Sequence, residues 1–168
     1  MQWESLVKET TTRYDMADYS ELVLSIVYTE SRGSHVDLMQ SSESRYGISN
    51  QITTSEESID SGVAHLSQVI KEAEDQGCDI WTAVQAYNYG ANYIDYVKGQ
   101  GGQHTLALSE AYSRDYLAPM LGNTAQDTYF YKAPRAILHN GGKLYKNGGN
   151  LFYADQVKWH LKLIKWFK

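Results

Sequence analysis

The stretch Ile26 to Gln40, I-V-Y-T-E-S-R-G-S-H-V-D-L-M-Q, decides how this chain is read. Its centre is Glu30. Counting back from Glu30, apolar residues stand at Ile26 and Val23, with Val27 and Leu22 beside them. On a 3.6-residue period the carboxyl therefore belongs to the stripe that faces the core. A helix is predicted from about Tyr19 to Ser31, with Gly33 where a left-handed C-terminal residue is welcome. Glu30 then lies in the last turn, near the negative end of the helix dipole. Burial and the dipole both disfavour the ionised carboxyl and move it toward the range in which an acid donates a proton near neutral pH.

Working outward, residues 34–50 lose the helical pattern. Serines and Gly47 surround Val36, Leu38 and Met39, which predicts an ordered loop with one helical turn. Thr54 and Glu57 then have capping-box spacing, and Ile59, Val63, Leu66, Ile70 and Ala73 follow at helical intervals up to Gly77. Upstream, Trp3, Leu6 and Val7 predict a helix over residues 2–13. Downstream, Ile80, Trp81, Ala83, Val84, Ala86 and Tyr87 are apolar nearly all round, a buried helix ending near residues 88–90. Further helices are expected over 92–98 and from Leu106 to Leu117, the latter stopping before Pro119. The segment 123–150, rich in Tyr, Gly and Asn, reads as loop or strand, with Gly141-Gly142 and Gly148-Gly149 as hairpin turns. A last helix, Tyr153 to Phe167, sets Val157, Leu161 and Ile164 on one side and Lys158, Lys162 and Lys165 on the other. The expected fold is mainly α, one domain over residues 1–168.

Composition bounds the function. A net charge of −5 with no basic run speaks against a nucleic-acid partner. No apolar run reaches the length of a membrane span. An uncharged polymer such as a glycan is compatible with this surface, and 14 tyrosines with four tryptophans suit a groove that holds sugar faces. Cys78 is alone, which excludes an internal disulfide, and the five histidines show no ligand spacing, so no metal site is expected.

Glu30-Ser31, then Met39-Gln40, then Ala86-Tyr87-Asn88-Tyr89-Gly90 give the order E-S, M-Q, A-Y-N-x-G. This resembles the goose-type lysozyme and soluble lytic transglycosylase group, glycoside hydrolase family 23. Asp37-Leu38-Met39-Gln40-Ser41-Ser42-Glu43-Ser44 with Gly62-Val63 and Gln85 to Gly90 is similar, more narrowly, to CwlT-type bacterial lysozyme-like domains. The resemblance covers residues 19–116.

It implies a lysozyme-like fold with a cleft and an enzyme acting on peptidoglycan glycan strands, without a cofactor. Glu30 matches the acid that protonates the glycosidic oxygen between N-acetylmuramic acid and N-acetylglucosamine. Asp37 matches a second carboxylate that stabilises the developing cation or activates a water. Lytic transglycosylases usually have glycine at that place, so the departure favours a muramidase over a lyase forming 1,6-anhydro ends. Ser31, Gln40 and Ser42 match groups that shape the cleft, and Tyr87 and Asn88 match a segment in which the tyrosine approaches the acid and the asparagine fixes backbone or sugar. Glu43 is a weaker catalytic candidate. The resemblance further implies an exported, cell-surface protein, and a monomer is expected. Two rival readings are a glycan-binding module without turnover and a helical interaction domain in which Glu30 pairs with Arg32 or Arg45, a pairing that lowers its pKa.

Overall fold

Apolar periodicity converts into helices wherever it is regular. The computed structural model describes residues 2–42, 47 and 51–167. Among them run α1 (Glu4–Arg13), α2 (Ser20–Ser31), α3 (Ser55–Asp75), α4 (Ile80–Tyr89), α5 (Asn92–Lys98), α6 (Leu106–Tyr112), β1 (Thr128–Phe130), α7 (Pro134–Asn140), β2 (Lys143–Tyr145) and α8 (Tyr153–Trp166). The fold is mainly helical, as the sequence predicts. The backbone gathers into two units, residues 1–68 with 156–168, and residues 69–155, the divisions falling inside α3 and α8.

In the first unit α2 is the central element. Leu22, Val23, Leu24, Ile26 and Val27 are all buried, so the helix is apolar on more than one side and needs neighbours around it. Hydrogen bonds fasten α1 to it at both ends. The Thr11 hydroxyl lies 2.8 Å from that of Ser20, and the Trp3 indole N–H donates to the Gly33 carbonyl at 3.0 Å. α2 ends at Ser31 with Arg32 left-handed at φ 54°, followed by Gly33 at φ 73°. The left-handed step thus begins one residue before the expected glycine. α3 opens with half of the predicted box: Thr54 Oγ1 accepts from the Glu57 amide at 3.1 Å, while the Glu57 carboxylate reaches one residue further back and accepts from the Thr53 amide at 3.2 Å. On the far side of this unit, Thr29 Oγ1 lies 2.8 Å from His160 Nδ1 of α8.

The second unit is built around α4. Its N-cap is Asp79, whose carboxylate accepts from the Thr82 amide and hydroxyl at 3.1 and 2.6 Å and from the His104 amide at 3.0 Å. Gln85, fully buried, donates to the Asn150 carbonyl at 2.9 Å and accepts from the Ala154 amide at 3.1 Å. Both amide ends of that side chain are thereby satisfied against the start of α8. Tyr89, Tyr93 and Tyr112 are core, with ring centroids 5.1 to 5.5 Å apart.

Two expectations fail in this unit. Pro119 does not stop the helix: after α6 a wider turn, Ser113–Leu117, runs into a further helical turn, Ala118–Met120. Pro119 falls in the first positions of that turn, where a missing N–H costs nothing. Residues 123–150 also hold a helix where loop or strand was expected. β1 and β2 do pair antiparallel, Tyr129 opposite Leu144, but α7 separates them. Gly141, at φ 76°, ends α7 in place of closing a two-residue hairpin.

Candidate active site

Glu30 lies where the periodicity puts it, in the last turn of α2, one turn beyond the buried Ile26 and Val27. Its own burial is partial, at the rim of the core stripe. Ser31 beside it is buried, and its hydroxyl works inside the turn, donating to the Val27 carbonyl at 3.0 Å and accepting from the Gly33 amide at 3.1 Å. Ser31 thus shapes the chain reversal that presents Glu30.

Seven residues on, Asp37 fastens the loop together. Its Oδ1 accepts from the Ser41 amide at 3.0 Å and from the Ser58 hydroxyl of α3 at 2.7 Å. Its Oδ2 accepts from the Ser42 amide at 3.3 Å and the Ser42 hydroxyl at 2.7 Å. Four donors meet a carboxylate that offers about four lone-pair sites. Burial acts to raise the Asp37 pKa, but the Ser58 and Ser42 hydroxyls and the Ser41 and Ser42 amides outweigh it, and the carboxyl is held below its ordinary value. Asp37 is an ionised group with its hydrogen-bonding capacity spent on the loop.

The same serines continue the network. The Ser58 hydroxyl accepts from the Met39 amide at 3.0 Å, Ser41 donates to the Ser58 carbonyl at 3.0 Å, and Ser42 Oγ accepts from the Ile52 amide at 3.3 Å. Leu38 and Met39 are fully buried. Gly62 makes room for Met39, since a Cβ there would stand 2.6 Å from Met39 Cβ. Held from both sides, Gln40 adopts a left-handed φ of 48°, an unusual conformation for a non-glycine residue that persists only where its surroundings impose it. The side chain is exposed, and its amide donates to the Asp37 carbonyl at 3.1 Å.

In the other unit, α4 presents Tyr87 and Asn88 at its C-terminal end. Tyr87 is half-buried, its ring stacked against Tyr153 at 6.3 Å and 11°. Asn88 is exposed, and its Oδ1 accepts from the Asn150 amide at 2.9 Å. A Cβ at Gly149 would meet that oxygen at 3.0 Å and the Tyr89 ring at 2.8 Å, so the turn into α8 passes close to α4. Among the tyrosines offered as groove lining, Tyr89, Tyr93 and Tyr112 are core, while Tyr96 is half-buried and Tyr116 is 54% exposed.

Asp37, Ser42 and the loop bearing Gln40 are therefore one assembly, and Ser31 belongs to the turn before it. Glu43 and Arg45 fall outside the described residues. Sequence reasoning missed Ser58, which no local pattern marks, and Gln85, which apolar periodicity disguises as one more helix residue. Gly62 inside a strongly helical run was the one available signal of a close approach. Among the described residues no group of His, Cys, Asp and Glu is arranged to hold a metal.

The chain has relatives. Residues 1–161 match a protein family described as lysozyme-like. A Streptococcus pyogenes serotype M1 protein named pneumococcal vaccine antigen A homolog is 48% identical over 165 residues, covering 98% of this chain and 82% of its own length. The Bacillus subtilis bifunctional muramidase/DL-endopeptidase CwlT is 41% identical over 97 residues, 58% of this chain and 29% of its own. A Staphylococcus aureus crystal structure, described as similar to a lipoprotein of the NLP/P60 family, superposes with a TM-score of 0.86 at 36% identity over 95% of this chain. This chain spans about half of that structure, 51% of its length.

Proposed function

Because this chain belongs to the lysozyme-like family, we propose that it cleaves peptidoglycan glycan strands, hydrolysing the bond between N-acetylmuramic acid and N-acetylglucosamine. The observation that carries this reading is the place of Glu30: half-buried, in the last turn of α2, at the negative end of its dipole. That is the position the sequence reading gives to a proton donor. Glu30 gives its proton to the glycosidic oxygen as the C1–O bond breaks and the electron pair leaves with that oxygen; water then adds to the C1 cation and returns a proton to the Glu30 carboxylate, restoring the acid. The relative whose name states muramidase activity supports water as the acceptor.

Asp37 serves this reaction as a fixed anion and as the fastener of the loop. It opposes the positive charge at C1 electrostatically and keeps Gln40 in its left-handed presentation, from which the exposed amide meets the sugar. Ser31 and Ser42 act through the backbone shape they hold. Tyr87 and Asn88 supply an aromatic face and an amide for the glycan. The substrate lies outside the cytoplasmic membrane, so the domain works at the cell surface, as a monomer and without a cofactor.

A second reading is favoured by one observation. The four donors on Asp37 leave it poorly placed to take a proton from water. Attack on C1 by the substrate's own 6-hydroxyl needs no such base and yields a 1,6-anhydro end. Mass spectrometry of fragments released from purified peptidoglycan separates the two. Reducing-end muramic acid supports hydrolysis, and anhydro ends support the lyase reading. Peptidoglycan bound but not cut would sink both in favour of a binding module.

A further inference from the structure

Charge is distributed very unevenly along this acidic chain. Residues 128–168 hold eight of the 15 lysines and arginines and one of the 20 acids, a local net charge of +7, whereas residues 1–127 total −12. The basic stretch ends in α8. Its inner side, Val157 and Ile164, is buried against the protein. Its outer side carries Trp159 at 61% exposure and Trp166 at 84%, one helical stripe seven residues apart, with Phe167 at 82% immediately after. Lys162 and Lys165, both exposed, flank that stripe on one side. No described helix of this protein is long and apolar enough to cross a membrane.

We propose that this outer face of α8, Trp159, Lys162, Lys165, Trp166 and Phe167, docks on the surface of an anionic phospholipid bilayer. Indole and phenyl rings left in water forgo the transfer free energy of their apolar area. Amphipathic rings are at home at the level of lipid headgroups, where lysine stems reach outward to phosphate. The lysines supply attraction, each changing affinity for an anionic leaflet by about fivefold. A polyphosphate polymer would satisfy the lysines equally well but offers the three rings no apolar layer, so the rings decide for the bilayer. The contact is peripheral and reversible, because no segment of α8 is free to insert: its apolar side already faces the core.

The test uses the full chain with extruded vesicles of phosphatidylcholine and phosphatidylglycerol in equal parts, against vesicles of phosphatidylcholine alone. Sedimentation with the mixed vesicles is expected, reversed by salt, together with quenching of tryptophan fluorescence by lipids brominated on their acyl chains. The combined Trp159→Ala, Trp166→Ala and Phe167→Ala variant should partition at least about tenfold more weakly. Lys162→Gln with Lys165→Gln should lose most of the preference for the mixed vesicles while retaining circular dichroism. That pair tests the proposal even where the aromatic variant is poorly folded. Three results overturn it: no sedimentation with mixed vesicles, sedimentation unaffected by either variant, or binding to soluble polyphosphate that is as strong and equally indifferent to the aromatic substitutions. A concentration-dependent dimer that is lost in the aromatic variant would reassign the face to a second copy of this chain.

Discussion

Ser58 and Asp37, twenty-one residues apart, are joined by a 2.7 Å hydrogen bond in which the Ser58 hydroxyl donates to the carboxylate while accepting from the Met39 amide at 3.0 Å. One hydroxyl thus ties the loop's anion and its backbone to α3. Ser58→Ala removes a donor from a charged acceptor and takes the Ser58 oxygen away from the buried Met39 amide. We expect a loss of about 1–3 kcal/mol in urea unfolding and slower glycan cleavage with the same product ends. An unchanged midpoint would show that the network does not hold the loop.

The lowered Asp37 pKa fixes the sign of an acid effect. Its carboxylate is favoured in the folded protein, so its contribution to stability is complete above its ordinary value of 3.8 and lost as pH falls through the lower folded value. Thermal unfolding followed downward from neutral pH should therefore lose stability below about pH 4, and Asp37→Asn, less stable at neutral pH, should show a shallower loss there. Parallel curves for the two proteins would contradict this.

His160 works in a different window. Burial first, and the Arg32 charge second, hold its imidazole below the ordinary value of 6.5. The unfolded chain then takes up a proton near pH 6.5 that the folded chain refuses. Stability from this source is complete above pH 6.5 and declines as pH falls toward the folded value. Thr29 Oγ1 lies 2.8 Å from both the Ser25 carbonyl and His160 Nδ1. With its one proton given to the carbonyl, the ring N–H is the donor to Thr29. His160→Asn should flatten the melting temperature between neutral pH and pH 5.5; a curve as steep as that of the parent protein would exclude His160 as the source.

Gly62→Ala is a test of packing. The added Cβ would stand 2.6 Å from Met39 Cβ and sulfur, and Met39 Cβ is tied to the loop backbone. Overpacking of this kind costs about 1–3 kcal/mol, against the few tenths of gain a helical alanine normally brings. Stabilisation on substitution would show that the loop yields freely.

Glu30→Gln keeps the volume and removes the proton. Loss of a general acid is expected to lower kcat on purified peptidoglycan by a factor of about 10²–10⁴ with little change in melting temperature. Cleavage at a comparable rate would remove Glu30 from the proposed chemistry.

Helices were legible because periodicity and caps are local. The α2 stripe, the Thr54–Glu57 box and the apolar run of α4 each depend on neighbours within a turn or two. The failures came where local rules compete. Pro119 reads as a stop unless the wider turn before it is known, and α7 is too short and too rich in turn residues around it to announce itself. For the site, Glu30 was placed correctly in its helix but belongs to the rim of the core, a distinction that periodicity cannot make.

The chain alone determined that a carboxyl ends an apolar helix and that a serine-rich loop follows it, because both are consequences of residue order. What only the tertiary structure decided is the standing of Asp37. In sequence it is a free carboxylate seven residues from an acid and a natural partner for it. In the fold, Ser41, Ser42 and the distant Ser58 supply four donors to it, and hydrogen bonds of that kind depend on distance in space, which no spacing along the chain reports.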